Sequence, residues 1–173
     1  NHADYLGSAT THYVYRFAQD YRQPIWTQVE AAALIAEIEP QSLLSIAQRH
    51  FEQAKADDLI FLRRHLLTVI ADHASEHPPL YSIVPLAQKD TSDFVRQGLV
   101  NILPSLPSAL VLQLITPLSE DRSEQVRASL VLQLPILVSQ PDLVESCSQQ
   151  IVKFLAPTQT PFVLRTTLHS SVD

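Results

Sequence analysis

Three times along this chain an aspartate is followed six residues later by an arginine: Asp57 and Arg63, Asp90 and Arg96, Asp121 and Arg127. An apolar residue (Leu62, Val95, Val126) precedes each arginine, and a leucine (Leu66, Leu99, Leu130) stands three positions after it. The arginines are 33 and then 31 residues apart. Recurrence at a period of about 20–50 residues marks stacked supersecondary units, none of which can bury its apolar face alone. Fainter copies flank the three. Counting back 33 from Leu62 reaches Val29, with Glu30 at the arginine position; ahead lies Leu164-Arg165, with Gln159 where the aspartate would be.

The units are predicted to be helical hairpins. Two glycines (Gly7 and Gly98) in 173 residues are too few for the tight turns of a many-stranded protein. Pro24, Pro40, Pro78-Pro79, Pro107, Pro141 and Pro161 fall at breaks between apolar-periodic runs, where proline suits the first turn of a helix or stops the one before. Val95, Leu99, Ile102, Leu103 and Leu106 recur at helical spacing, as do Val126, Leu130, Leu134 and Leu137. The expected fold is an all-α, right-handed α-solenoid of about five hairpins over residues 1–173, forming a single segment. The hairpins are expected at about 9–39, 41–76, 79–105, 107–139 and 141–172. Ser92 and Ser123 are the expected N-caps, each followed by an acidic residue in the first turn (Asp93, Glu124).

A proline-bounded helix, a turn aspartate and then Val-Arg one turn into the next helix together resemble the HEAT repeat. The closest copy runs from Pro107 through Ile115-Thr116-Pro117-Leu118 and Asp121 to Val126-Arg127 and Leu130. The resemblance covers about 57–140 well and the ends poorly. It implies that Asp57, Asp90, Asp121, Arg63, Arg96 and Arg127 form a structural ladder between adjacent repeats. Chemistry agrees, since a guanidinium fork at a helix start can satisfy turn carbonyls and a carboxylate together.

Net charge is −6 with the two signs interspersed, which argues against a phosphate-binding surface and hence against nucleic acid as partner. The single Cys147 excludes an intrachain disulfide and fits a reducing, cytoplasmic setting. No run approaches the roughly 18 uninterrupted apolar residues of a membrane span. The absence of methionine points to a piece of a longer chain.

His73-Ala-Ser-Glu-His77 spells the H-x-x-E-H motif of inverted zinc peptidases, with Glu145 a conceivable third ligand downstream. Pro78-Pro79 follows at once and puts His77 at a fraying helix end, so His73 and His77 are metal candidates read as non-catalytic. Trp26, one turn before Val29, is expected in the core, as is Cys147. No serine stands in a nucleophile elbow and no glycine-rich phosphate loop is present, so no catalytic residue and no cofactor is expected. What remains is the face that stacking leaves free. One turn apart on the second helices it should carry Arg64, Gln97 and Ala128, then Thr68, Asn101 and Leu132, a mixed ridge suited to a protein or peptide. The reading is a non-enzymatic interaction or scaffolding segment of a larger protein. The alternative is a HEAT-like enzyme or enzyme-linked module resembling an alkylpurine DNA glycosylase, a bilin lyase or the sensor arm of a signalling ATPase.

Overall fold

The computed structural model describes residues 8–20, 22–52, 59–156 and 161–170. Every regular element among them is helical, and none of those helices is long and apolar enough to cross a membrane. In chain order the elements are α1 (Ser8–Gln19), α2 (Ile25–Ile38), α3 (Pro40–Glu52), α4 (Ile60–His73), α5 (Val84–Gln88), α6 (Asp93–Asn101), α7 (Ser108–Ser119), α8 (Glu124–Leu137), α9 (Val144–Phe154) and α10 (Pro161–Ser170). Short 3-10 turns at Pro78–Ile83, Leu103–Ser105 and Pro141–Leu143 precede α5, follow α6 and precede α9.

Proline accounts for most of the punctuation. Pro24 and Pro107 are the residues before α2 and α7, while Pro40 and Pro161 open α3 and α10. In a first turn the missing N–H is one that would have no partner anyway. Among the described residues none has a positive φ, so the turns close without the left-handed glycine that commonly ends a helix.

The first half of the hairpin expected at about 79–105 is broken. Pro78 and Pro79 open a 3-10 turn, and Pro85, in the first turn of the five-residue α5, keeps that helix from joining the turn before it. In the same way α6 stops at Asn101 and Pro104 lies in the 3-10 turn after it, since a residue before proline is pushed out of the α region.

The chain divides into two compact units at Val95 and Arg96, inside α6. In the first, α2 packs against α1, α3 and α4, and α3 also meets the Pro78–Ile83 turn and α5. Its core holds Ala32, Ile35, Leu43, Ile46, Leu62, Leu66, Ile70, Leu80 and Ile83, all essentially inaccessible. Each fully buried Leu or Ile stabilises by about 1.5–3 kcal/mol relative to the exposed side chain, so α4 alone supplies a large share through Leu62, Leu66, Leu67 and Ile70. In the second unit α8 is flanked by α7, α9 and α10, around Val111, Ile115, Val126, Leu130, Leu134, Cys147 and Phe154. The apolar residues before and after each repeat arginine, Leu62 and Leu66, Val95 and Leu99, Val126 and Leu130, are all buried.

Candidate functional site

The repeat residues lie in the turns that lead into α6 and α8. Asp90 Oδ1 accepts the backbone N–H of Ser92 at 2.9 Å, and Asp121 Oδ1 accepts that of Ser123 at 2.8 Å. Each aspartate so closes its own turn, the short-range bonding that favours this residue ahead of a helix. The same carboxylates receive an arginine from the preceding helix. Arg63, on α4, donates from Nε and Nη2 to Asp90 at 2.7 and 3.2 Å. Arg96, on α6, donates to Asp121 at 2.7 and 2.9 Å. The carboxylate that each arginine engages is thus the next one along, 27 and 25 residues away.

The first pair is deeply buried, with side-chain exposures of 1% and 0%; the second is nearly so, at 4% and 10%. The buried Arg63 Nη1 makes no hydrogen bond. Burial works to raise the Asp121 carboxyl, but the Arg96 fork and the Ser123 N–H outweigh it and hold the group below its ordinary value. Arg127 behaves differently. Its Nη1 donates to the main-chain carbonyl of Asp121, in its own turn, at 2.6 Å. Asp57, and the Gln159 position that would come next, lie outside the described residues.

Another buried polar group of the first unit is a histidine. His50, on α3, donates from Nε2 to the Ala18 carbonyl of α1 at 3.2 Å. Desolvation lowers its pKa, the Ala18 bond opposes that, and the nearby charges of Arg49 and Arg63 lower it further.

Of the residues expected on the free face, Thr68, Asn101 and Leu132 are exposed, and Arg64 and Gln97 are half-buried. Ala128 is not on that face. Its exposure is 4%, because α8 has helices on several sides and less of its circumference is left open. Trp26 corrects the reading in the opposite sense, being 64% exposed. The buried side of α2 is set by Gln28, Val29, Ala32, Ile35 and Ala36. At about 100° per residue, Trp26 falls roughly a third of a turn away from the centre of that stripe.

Outside the core, Trp26 tilts against His65 of α4, ring centroids 4.8 Å apart at 56°. One turn earlier on α4, Phe61 meets Phe94 of α6 edge to face at 5.1 Å. Between them Arg64 lies over the Phe94 ring, Cζ 4.1 Å from the centroid, and its Nη1 donates to the Phe94 carbonyl at 2.9 Å. Phe61, Arg64, His65 and Thr68 follow the i, i+3, i+4, i+7 rule and share one face of α4. The result is a ridge of aromatic rings and basic groups within the first unit. Sequence reasoning reached only Arg64 and Thr68; the stripe through Phe61 and His65 was the available signal for the rest.

His73 is the last residue of α4, and His77 lies beyond it with φ −128° and ψ 71°, outside the helix. The two imidazoles therefore lack the shared helix face that the zinc motif requires. His77 lines a hollow with Pro40, Leu44 and Leu80, and Glu145 of α9 accepts from Gln149. No cluster of three or more His, Cys, Asp or Glu arranged to hold a metal occurs among the described residues. Cys147 is buried and its thiol is pushed up by desolvation.

No family model matches the chain, and comparisons with curated proteins and with solved structures find no match either.

Proposed function

We propose that this chain is a right-handed stack of HEAT-like hairpins serving as an interaction or scaffolding segment, which binds a partner protein or peptide on the face of its second helices. The observation that supports this best is the ridge on α2, α4 and α6. Trp26 and Phe61 expose 64% and 50% of their surface, and rings from neighbouring helices hold them in place. Tryptophan, other aromatics and arginine are the residues over-represented where protein interfaces concentrate their binding energy. Rings held by neighbours also lose little freedom on binding, which keeps more of the contact energy as affinity. The pairing of Arg63 with Asp90 and of Arg96 with Asp121 supports the ladder role that the HEAT resemblance implies.

A photo-crosslinking residue at position 61, with the same residue at exposed Gln113 on α7 as control, tests the reading. Exposed to a lysate of the source cell, the position-61 protein is expected to give discrete adducts that the position-113 protein does not. Equal labelling from both positions, or none from position 61, would refute the assignment of the binding face.

A further inference from the structure

Arg64 differs from Arg63 and Arg96 in what it faces. Arg63 and Arg96 each spend two donors on a carboxylate. Arg64 is half-buried and donates one hydrogen bond, to a neutral carbonyl; among the described residues no carboxylate lies within ion-pair distance of it. Burial lowers its pKa and no neighbouring acid offsets the effect. A guanidinium held over a ring and anchored by one donor has few orientations left for its remaining N–H groups, so a bidentate acceptor meets a fork that needs little further ordering.

The surroundings narrow the class of acceptor. Phe61 and the Trp26–His65 pair sit on the two sides of Arg64 along α4, giving apolar contact within one helical turn of the cation. His65 adds no negative charge. The acids of the same helices are Glu30, one turn beyond Trp26, Glu37, Asp72, two turns beyond Arg64, and Asp93, which precedes Phe94. None of them pairs with Arg64, so the guanidinium stands on the ridge with apolar groups beside it and, among the described residues, no acid bonded to it.

We propose that Arg64 is the carboxylate-binding residue of a peptide site, taking an Asp or Glu side chain of an acidic peptide whose neighbouring apolar side chain packs on Phe61 and Trp26. This rests on the reading of the ridge as a protein-binding face and adds the chemistry of the partner. The occupant is an acidic peptide rather than a nucleic acid because the ridge sets the guanidinium of Arg64 among aromatic rings, not along a basic track on which a phosphate backbone could run.

Trp26 is the only tryptophan, so its emission reads the site directly. The probe is a blocked Glu-Leu-Glu-Phe-Glu peptide, compared with its Gln and Lys counterparts and with an oligothymidylate of similar length. The Glu peptide is expected to shift Trp26 emission saturably. Arg64→Gln should weaken it by about tenfold or more, the loss expected for a charge-assisted pair. Arg64→Lys, which keeps the charge but not the fork, should fall between. Arg16→Gln, which removes an exposed arginine on α1, should bind as the parent does. Thermal melts establish that each variant is folded, and a steep loss of affinity with added salt in the unmodified protein is a readout independent of any substitution. Equal affinity for the Gln peptide, tighter binding of the oligothymidylate, or no response to the Glu peptide would each overturn the proposal. If discrete adducts still form at position 61, the docking face stands and only its carboxylate chemistry falls.

Discussion

Removing the Asp90 carboxylate should be among the most damaging single changes to the first unit. Asp90 accepts two hydrogen bonds from Arg63 and one from the Ser92 backbone, and both side chains of the pair are at most 1% exposed. In Asp90→Ala the guanidinium stays in the core with no counter-charge, and its Nη1 already lacks a hydrogen bond. Breaking a buried pair from one side costs about 3–5 kcal/mol. With a urea dependence of about 1–2 kcal/mol per molar, that lowers the unfolding midpoint by about 1.5–5 M. Trp26 emission follows the transition, since Trp26 lies in the same unit. Deleting the cation as well, in Arg63→Met/Asp90→Ala, removes the stranded charge, so the double variant should be more stable than Asp90→Ala although it carries one more substitution. A cost below about 1 kcal/mol for Asp90→Ala, or a double variant less stable than the single, would refute the reasoning.

Arg96→Ala should destabilise the second unit by about 2 kcal/mol and Arg127→Ala by about 1 kcal/mol, because only the first strips a carboxylate of two charge-assisted bonds. Urea midpoints followed by far-ultraviolet circular dichroism rank them, and the reverse order would refute the assignment. His50 has a folded pKa below the ordinary 6.5, so the folded state binds fewer protons than the unfolded one between those values. Stability from this group is present above pH 6.5 and declines as pH falls through that window, where a protonated ring would face Arg49 and Arg63; His50→Gln should flatten the decline in urea midpoint between pH 7.5 and 5.5. Cys147 is buried with a raised pKa, so a thiol reagent should label it only at the rate at which the second unit opens, and a fast native-state reaction would contradict its packing.

The helical class, the break points and most core positions were legible because proline punctuation and a 3.6-residue apolar period act locally. Leu62, Leu66, Val126 and Leu130 are buried where the period puts them. Spacing alone did not fix the pairing of charges, which only the HEAT resemblance put between adjacent repeats. A spacing of six residues looks like a contact inside one turn, and Arg127 does bond within its own turn; Arg63 and Arg96 reach ahead to Asp90 and Asp121, a choice made by helix packing. The ridge was hidden for a related reason. Trp26 is as apolar as the residues around it, so only its angular offset from Val29, Ala32 and Ala36 separates a surface ring from a core one. Arg64 read as a free outward arginine, because nothing near it in the sequence announces that Phe94, 30 residues on, supplies both its ring and its carbonyl.

The double engagement of Asp90 ties a surface turn to a core helix. If α4 opens, Asp90 keeps its bond to Ser92, but the buried side chains of Leu62, Leu66, Leu67 and Ile70 are exposed to water. If the turn at 89–92 opens alone, Arg63 is left charged in an otherwise intact core, which costs about 3–5 kcal/mol. Opening of the turn alone is thus suppressed by the pair. The amides of that turn should then exchange with solvent more slowly than a turn of its length otherwise would. A turn of four residues, which in most proteins would be among the first segments to exchange, becomes one whose protection is set by the helix before it.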